Sequence, residues 1–133
     1  MHEWSLAQAV VNAVADYCAR NSCKEAEAVV VLGELQQINA NVFKLALKEI
    51  LEAQNMRKIK IKIESEEAVF KCRACGFQWS FSRTKKGLHA SDAELIHFIP
   101  DVSHAYIRCP KCKSPDFEIV KGRGLWIKEI KSL

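Results

Sequence analysis

The first half of the chain contains apolar residues in two different periodicities. Residues 4–20 predict a helix whose apolar face comprises Leu6, Val10, Ala13, Val14 and Tyr17. Asn39 is predicted to cap a second amphipathic helix that reaches Leu51. Residues 28–32 are continuously apolar and end at Gly33, as in a buried strand. Residues 58–64 alternate strictly between charged residues and Ile, which predicts a strand with one apolar face and one solvated face.

The pattern changes after residue 65. Cysteine pairs, aromatic residues and short polar stretches continue to about residue 121, and residues 125–130 are again typical of a strand. We therefore predict an α+β fold with two helices packed on a small three-stranded sheet and an inserted zinc ribbon. The predicted domains are 1–65 plus 122–133 for the α/β part and 66–121 for the ribbon, which should need a metal to fold.

Size and composition limit the classes of protein. A chain of 133 residues forms one domain or two very small ones, and a formal net charge of +4 is too small to indicate a nucleic-acid partner by itself. No apolar run reaches the roughly 18 to 20 residues that cross a bilayer, and the N-terminus does not resemble a secretion signal. We expect a cytoplasmic protein whose six cysteines are reduced, as metal ligands or buried thiols.

Four of the cysteines form two CxxC motifs, Cys72 with Cys75 and Cys109 with Cys112. Two such turns can surround one Zn²⁺ with four thiolates, which leaves no position open for catalysis. The rival interpretations are a redox dithiol and an iron–sulfur cluster, but the βαβ setting of thioredoxin-like motifs is missing. Gly76 can adopt a left-handed conformation after the first motif, and Lys113 at the matching position would be strained by about 1 kcal/mol.

His2 lies one peptide bond from the N-terminal amine. The amine, the deprotonated amide nitrogen of residue 2 and the imidazole can form fused chelate rings around Ni(II) or Cu(II), provided that Met1 is retained. Amine and imidazole bind only when deprotonated, so nickel affinity is predicted to fall below about pH 7. The alternative is that a histidine at this position is an accident of a frayed terminus.

The remaining histidines and cysteines carry weaker signals. His97 has apolar neighbours and could simply be packed, while His89 and His104 are predicted to be structural or solvated. Cys18 and Cys23 flank the end of the first helix and are most simply buried thiols, although an auxiliary contact with a soft metal stays open.

The sequence resembles the HypA family of hydrogenase-maturation nickel metallochaperones, in particular its archaeal type. The resemblance rests on an ordered set of segments that covers essentially the whole chain. They are Met1, His2 and Glu3, the segment 31–35, the two CxxC motifs, residues 96–100 with His97, and the closing Gly122, Arg123 and Gly124. Lys113 departs from the family pattern, which normally has glycine there.

The resemblance implies two metal sites and a delivery pathway. Cys72, Cys75, Cys109 and Cys112 would bind structural zinc. Nickel would be bound by the Met1 amine and by the backbone nitrogen and imidazole of His2, with the Glu3 amide nitrogen as a fourth donor. His97 would join when a HypB-type GTPase docks. The metal would pass to the [NiFe]-hydrogenase large-subunit precursor; a homodimer stays open, and no nucleic-acid or membrane partner is expected.

Two other classes of function compete with this interpretation. A zinc-ribbon module could bind nucleic acid or protein through Arg83, Lys85 and Lys86 with Trp79 and Phe81, although the basic cluster is short. An enzyme is disfavoured because the sequence has no paired carboxylates, no nucleophile with a base and no phosphate-binding glycine loop.

Overall fold

Helices and strands alternate at the beginning of the chain in the order that the sequence predicts. The computed structural model describes residues 2–35 and 38–133, without the side chain of Phe98. A 3-10 helix over Pro100–Val102 interrupts the later helices. The elements are α1 (Glu3–Arg20), β1 (Ala26–Gly33), α2 (Ala40–Ala53), β2 (Ile59–Glu66), β3 (Val69–Cys72), β4 (Gln78–Ser80), α3 (Phe81–Lys85), α4 (Ala90–Phe98), α5 (Ser103–Tyr106), β5 (Phe117–Lys121) and β6 (Leu125–Ser132).

The chain divides into two compact units, which we describe separately. Unit 1 comprises residues 1–31, 38–64 and 126–133, and unit 2 comprises residues 32–37 and 65–125. The strands form two three-stranded sheets, in the orders β2-β1-β6 and β4-β3-β5. The α+β class with a small sheet, two leading helices and a ribbon is therefore confirmed. No helix among the described residues is both long and apolar enough to cross a membrane.

Unit 1 is built around β1, the central strand of its sheet. β1 is buried along nearly its whole length, as its continuous apolar run predicts, whereas β2 alternates between half-buried isoleucines and exposed lysines. The Asn39 side chain caps α2 by accepting a hydrogen bond from the Val42 N–H at 3.1 Å, as predicted. The buried face of α1 is rotated from the expected one, since Ala7 and Val11 are buried while Ala13 is exposed.

Unit 2 has its own apolar core beside an antiparallel ribbon. Phe70 of β3 is opposite Trp79 of β4, and Cys72 is opposite Phe117 of β5. Phe70, Trp79, Phe81 and Phe117 form a cluster of tilted and edge-on ring contacts with centroids 5.1 to 6.1 Å apart. These aromatic side chains therefore belong to the core around the metal-binding turns.

Helices between the two CxxC motifs were not predicted. The sequence predicted a ribbon there, but the structure has α4 and α5 in this stretch, and Tyr106, three residues before Cys109, is the last residue of α5. In α4, Ala93 and Ile96 are buried while Leu95 remains 38% exposed. Apolar residues therefore lie on opposite sides of this helix, which removes the one-sided periodicity that would have revealed it.

Two of the segments on which the resemblance to the HypA family rests contain glycines that approach each other closely, and this approach explains why glycine is required there. A Cβ at Gly33 would lie 2.3 Å from the carbonyl carbon of Gly122, so neither backbone could stay in place. Hydrogen bonds join the same segments, from Gly33 N–H to the Gly124 carbonyl and from Leu35 N–H to the Gly122 carbonyl, both at 2.7 Å. The Glu34 carboxylate accepts from the Ala68 N–H at 2.9 Å. These segments therefore have a structural role in unit 2.

Candidate metal centres

Unit 2 brings the four predicted zinc ligands together. The sulfur atoms of Cys72, Cys75, Cys109 and Cys112 all lie within 4.8 Å of one another. The Cys72 and Cys112 sulfurs are 3.5 Å apart, and those of Cys75 and Cys109 are 3.6 Å apart. A tetrahedral zinc centre with Zn–S bonds of about 2.3 Å places its sulfurs about 3.8 Å apart. The four cysteines therefore suit structural zinc.

The two CxxC turns have nearly the same backbone geometry. The N–H groups of Cys75 and Cys112 donate to the sulfurs of Cys72 and Cys109, each at 3.5 Å. In each turn the first cysteine is buried and the second is exposed. Gly76 has φ 78° and Lys113 has φ 66°, so the left-handed conformation considered for Lys113 is present. The backbone thus directs both sulfurs of each turn toward one point.

Backbone donors also favour the thiolate form of the buried cysteines. Burial by itself would raise the pKa of Cys109, but N–H groups of Cys112 and Lys111 outweigh it and lower this pKa to about 6. The pKa of Cys72 is likewise lowered, mainly by the N–H of Cys75. Backbone donation therefore favours the thiolate, the form that binds a metal, at both buried sulfurs.

Charged and aromatic groups around the turns support this centre. Arg73 connects them through an ion pair with Asp116 at 3.1 Å. His104, which the sequence predicts to be structural or solvated, is exposed. Its Nδ1 lies 3.1 Å from the carbonyl oxygen of Pro115, and its ring centroid lies 4.4 Å from that of Phe117. His89 is exposed before α4, as a solvated residue should be.

The N-terminal candidate site lies in unit 1. Met1 falls outside the described residues, but His2 is exposed and is the N-cap residue of α1 without a side-chain capping bond. The side chain of Glu3 is only 6% exposed, and its Oε1 accepts from the backbone N–H of Asn39 at 3.0 Å. The first turn of α1 is thereby attached to the beginning of α2 while the His2 imidazole faces solvent.

The other candidate residues are found in both units. His97 is half-buried in the last turn of α4, in unit 2. Cys18 and Cys23 are half-buried in unit 1, and burial, followed by the neighbouring Cys23 thiol, raises the pKa of Cys18 to about 11. The sequence left the role of these two cysteines open. Only the folded end of α1 shows that they are neighbours.

The aromatic residues of the alternative nucleic-acid site are buried. Trp79 is 4% exposed and Phe81 is 2% exposed, so neither ring can stack on a base. Arg83 lies over the ring of Phe77, with its Cζ 5.5 Å from the ring centroid, in a cation–π contact. The basic cluster is thus a charged surface above an apolar core.

Comparisons with known proteins identify the family of this chain. The family model for hydrogenase/urease nickel incorporation, metallochaperone, hypA matches residues 1–132. A hydrogenase maturation factor HypA from Pyrococcus abyssi is 48% identical over 98% of this chain and 95% of its own length. One from Thermococcus onnurineus is 47% identical over the same shares.

A solved structure shares the fold. The solution structure of the Ni metallochaperone HypA from Helicobacter pylori has a TM-score of 0.60 at 19% identity and covers 100% of this chain and 98% of that one. The full-length family match and the identities to archaeal relatives settle the assignment. The chain belongs to the HypA family of metallochaperones for nickel incorporation into hydrogenase and urease.

Proposed function

We propose that this protein binds Ni(II) through its N-terminal residues and transfers the ion, without chemical turnover, to the [NiFe]-hydrogenase large-subunit precursor. The observation that carries this proposal is the exposed His2 beside a buried, anchored Glu3. The proposed nickel donors are the Met1 amine, the amide nitrogen and imidazole of His2, and the Glu3 amide nitrogen. Four nitrogens in a nearly planar set suit Ni(II).

The main-chain hydrogen bonds of α1 do not use the amides of His2 and Glu3. The first hydrogen bond along the helix runs from the Leu6 N–H to the His2 carbonyl oxygen at 2.9 Å. Amides before Leu6 have no carbonyl at the preceding helical turn to bind. A metal can therefore replace the protons of the His2 and Glu3 amides without breaking a hydrogen bond of the helix.

Glu3 contributes in two different ways under this proposal. Its backbone nitrogen is a nickel donor, while its carboxylate accepts from Asn39 at the beginning of α2. A negative charge at a helix N-terminus is favourable, which stabilises this attachment. Anchoring the residue after His2 reduces the conformational freedom that the chelate must lose when nickel binds.

The zinc centre and the partners complete the proposal. Zinc has a structural role, because four thiolates leave it no open coordination position for catalysis. His97 joins the nickel ion when a HypB-type GTPase docks, and transfer takes place in the cytoplasm, where the cysteines stay reduced. Replacing His97 with Ala should change nickel affinity or stoichiometry in the complex with the GTPase; identical titrations would exclude His97 from the site.

The direct test is to extend the N-terminus by one residue. This change keeps every side chain but displaces the terminal amine from the chelate. We expect nickel affinity, measured by isothermal titration of the zinc-loaded protein, to fall more than about 100-fold, because losing a ligand should exceed the effect of losing an outer-shell partner. His2→Ala should match it, and His89→Ala is the control that changes an exposed histidine outside both metal sites. Unchanged affinity in the extended protein would overturn the proposed donor set.

A further inference from the structure

A cavity in unit 1 is bordered by three sulfur-containing side chains. It has a volume of about 460 Å³, and Cys18, Cys23 and Met56 line it. Three cationic residues, Lys24, Arg57 and Lys58, line the same cavity. None of the described residues that border it is Asp, Glu or His. Apart from the amide of Asn55, the uncharged side-chain donors of this lining are therefore sulfur atoms.

Two similar turns at the ends of α1 and α2 place these sulfurs. After α1, Ser22 has φ 52° and the Cys23 N–H donates to the Cys18 carbonyl oxygen at 3.1 Å. This type of helix-ending turn brings the residue after the left-handed position against the residue five positions earlier. Cys23 is thereby placed beside Cys18, and both cysteines line the cavity.

The turn after α2 repeats this arrangement. Asn55 has φ 55°, and the Met56 N–H donates to the Leu51 carbonyl oxygen at 2.8 Å. Met56 therefore occupies the position in its turn that Cys23 occupies in the other. Because both residues line one cavity, the two helix ends bring Cys18, Cys23 and Met56 to the same space.

Two thiols and one thioether as donors favour a soft, monovalent metal ion. Thiolate and thioether sulfur select Cu(I) among biological metals, and Cu(I) is stable with two or three ligands. Zn²⁺ needs four ligands, and the harder Ni(II) prefers nitrogen in a planar set. Cu(I) with two thiolates carries one negative charge, which Lys24, Arg57 and Lys58 can balance.

We propose that Cys18, Cys23 and Met56 form a Cu(I) site, separate from the zinc centre and from the N-terminal nickel ligands. Each thiol loses one proton to solvent as its Cu–S bond forms, and copper keeps its oxidation state. Met56 supplies the third sulfur as a neutral ligand. The site depends on none of the proposed nickel donors, so it stands even if that donor set is wrong.

The test is a copper titration of the full-length, zinc-loaded, reduced protein without oxygen. Cu(I) is added in competition with a chromophoric Cu(I) chelator while a second dye reports released zinc. We expect one Cu(I) to bind without zinc release, and the Cys18→Ser/Cys23→Ser variant to bind it at least about 100-fold more weakly. Met56→Leu, which keeps the side-chain volume, should weaken binding about ten-fold. X-ray absorption at the copper edge should show sulfur neighbours only.

Control variants separate the site from the rest of the protein. Asn55→Gly keeps the left-handed turn and removes no sulfur, so it should bind Cu(I) as the parent protein does. Circular dichroism confirms that each variant is folded, and Met56→Leu tests the site even if the double variant unfolds. Equal Cu(I) binding by the parent and the double variant would overturn the proposal. So would zinc release in proportion to the copper bound, or preferential occupation of the cavity by Zn²⁺.

Discussion

The zinc centre and the N-terminal end of the chain use backbone amides in opposite ways. At the zinc centre, N–H groups of Cys75 and Cys112 donate to sulfurs from two turns that are far apart in sequence. At the N-terminus, we propose that amide nitrogens themselves are donors, beside an exposed His2. A resident metal is thus surrounded by ligands that only the fold can assemble, whereas a transferred metal can be bound by consecutive residues.

Zinc removal should produce the largest effect in this comparison. Extracting zinc from the protein with a strong chelator removes on the order of 10 kcal/mol of folding free energy from unit 2, about as much as a whole small domain possesses. Trp79 is buried, whereas Trp4 is 50% and Trp126 is 45% exposed. We therefore expect the tryptophan emission to shift to longer wavelength as Trp79 becomes solvated.

Amide resonances of unit 1 are the control for zinc removal. Amide resonances of α1 and β1 should keep their chemical-shift dispersion, while those of β3 and β5 should lose it. If β3 and β5 stay dispersed after zinc is removed, the apolar core around Phe70 and Phe117 would suffice to fold unit 2. The contrast between a resident and a transferred metal would then lose its structural basis.

Acidification should release the two metals in a fixed order. The N-terminal amine and at least one amide must give up protons to bind nickel, so nickel affinity should fall at least about 100-fold between pH 7 and pH 6. The pKa of Cys109 is lowered to about 6, so this sulfur is mostly a thiolate at neutral pH even before a metal binds, and a bound cation favours the thiolate further. Zinc should therefore remain bound after nickel has left.

Metal content after dialysis at a series of pH values checks this order. Protein loaded with both metals is dialysed between pH 7.5 and pH 5, and atomic absorption measures the zinc and nickel retained. Simultaneous loss of both metals would indicate that nickel shares the thiolate ligands. The N-terminally extended protein should lose nickel already at the highest pH and keep its zinc.

Variants of Glu3 distinguish its anchoring contact with Asn39 from metal binding by the N-terminus. Glu3→Ala removes the acceptor of the Asn39 N–H and should lower the free energy of unfolding by about 1 to 3 kcal/mol, whereas Glu3→Gln keeps an acceptor and should cost less. Both variants retain the backbone nitrogen, so nickel affinity should fall far less than in His2→Ala. Urea unfolding and nickel titration measure the two effects. If Glu3→Ala lost nickel as completely as His2→Ala, the carboxylate itself would be a ligand.

Short-range patterns predicted most of unit 1 and the zinc centre. The strict alternation in β2, the Asn39 cap and the CxxC spacing each act over a few residues, so the sequence alone reveals them. The rotation of the buried face of α1 was missed because Ala7 and Ala13 are equally apolar, and only contacts with the rest of unit 1 decide which is buried.

Features that depend on distant residues could not be predicted. The approach of Gly33 to Gly122 and the attachment of Glu3 to Asn39 join residues 89 and 36 positions apart, and no local pattern encodes either pairing. α4 was missed because its buried and exposed apolar residues give it no single apolar face. The sulfur cavity requires two helix ends to meet, although each cysteine was visible in the sequence.

The smallest effect concerns a difference between the two CxxC turns at the residue that follows each motif. Gly76 and Lys113 both have positive φ, and their N–H groups donate to the carbonyls of Cys72 and Cys109, each at 2.9 Å. A side chain at this φ costs about 1 kcal/mol, and nothing lies within 4 Å of a Cβ built on Gly76. Gly76→Ala should therefore destabilise the zinc-loaded protein by up to about 1 kcal/mol, and Lys113→Gly should stabilise it by about 0.5 to 1 kcal/mol.

Thermal unfolding measures these effects. The melting temperature of the double variant should lie close to that of the parent protein, because the two changes lie in separate turns and oppose each other. A loss of stability in Lys113→Gly would mean that the lysine side chain contributes more than its strained backbone costs, and the two turns would then not be energetically equivalent.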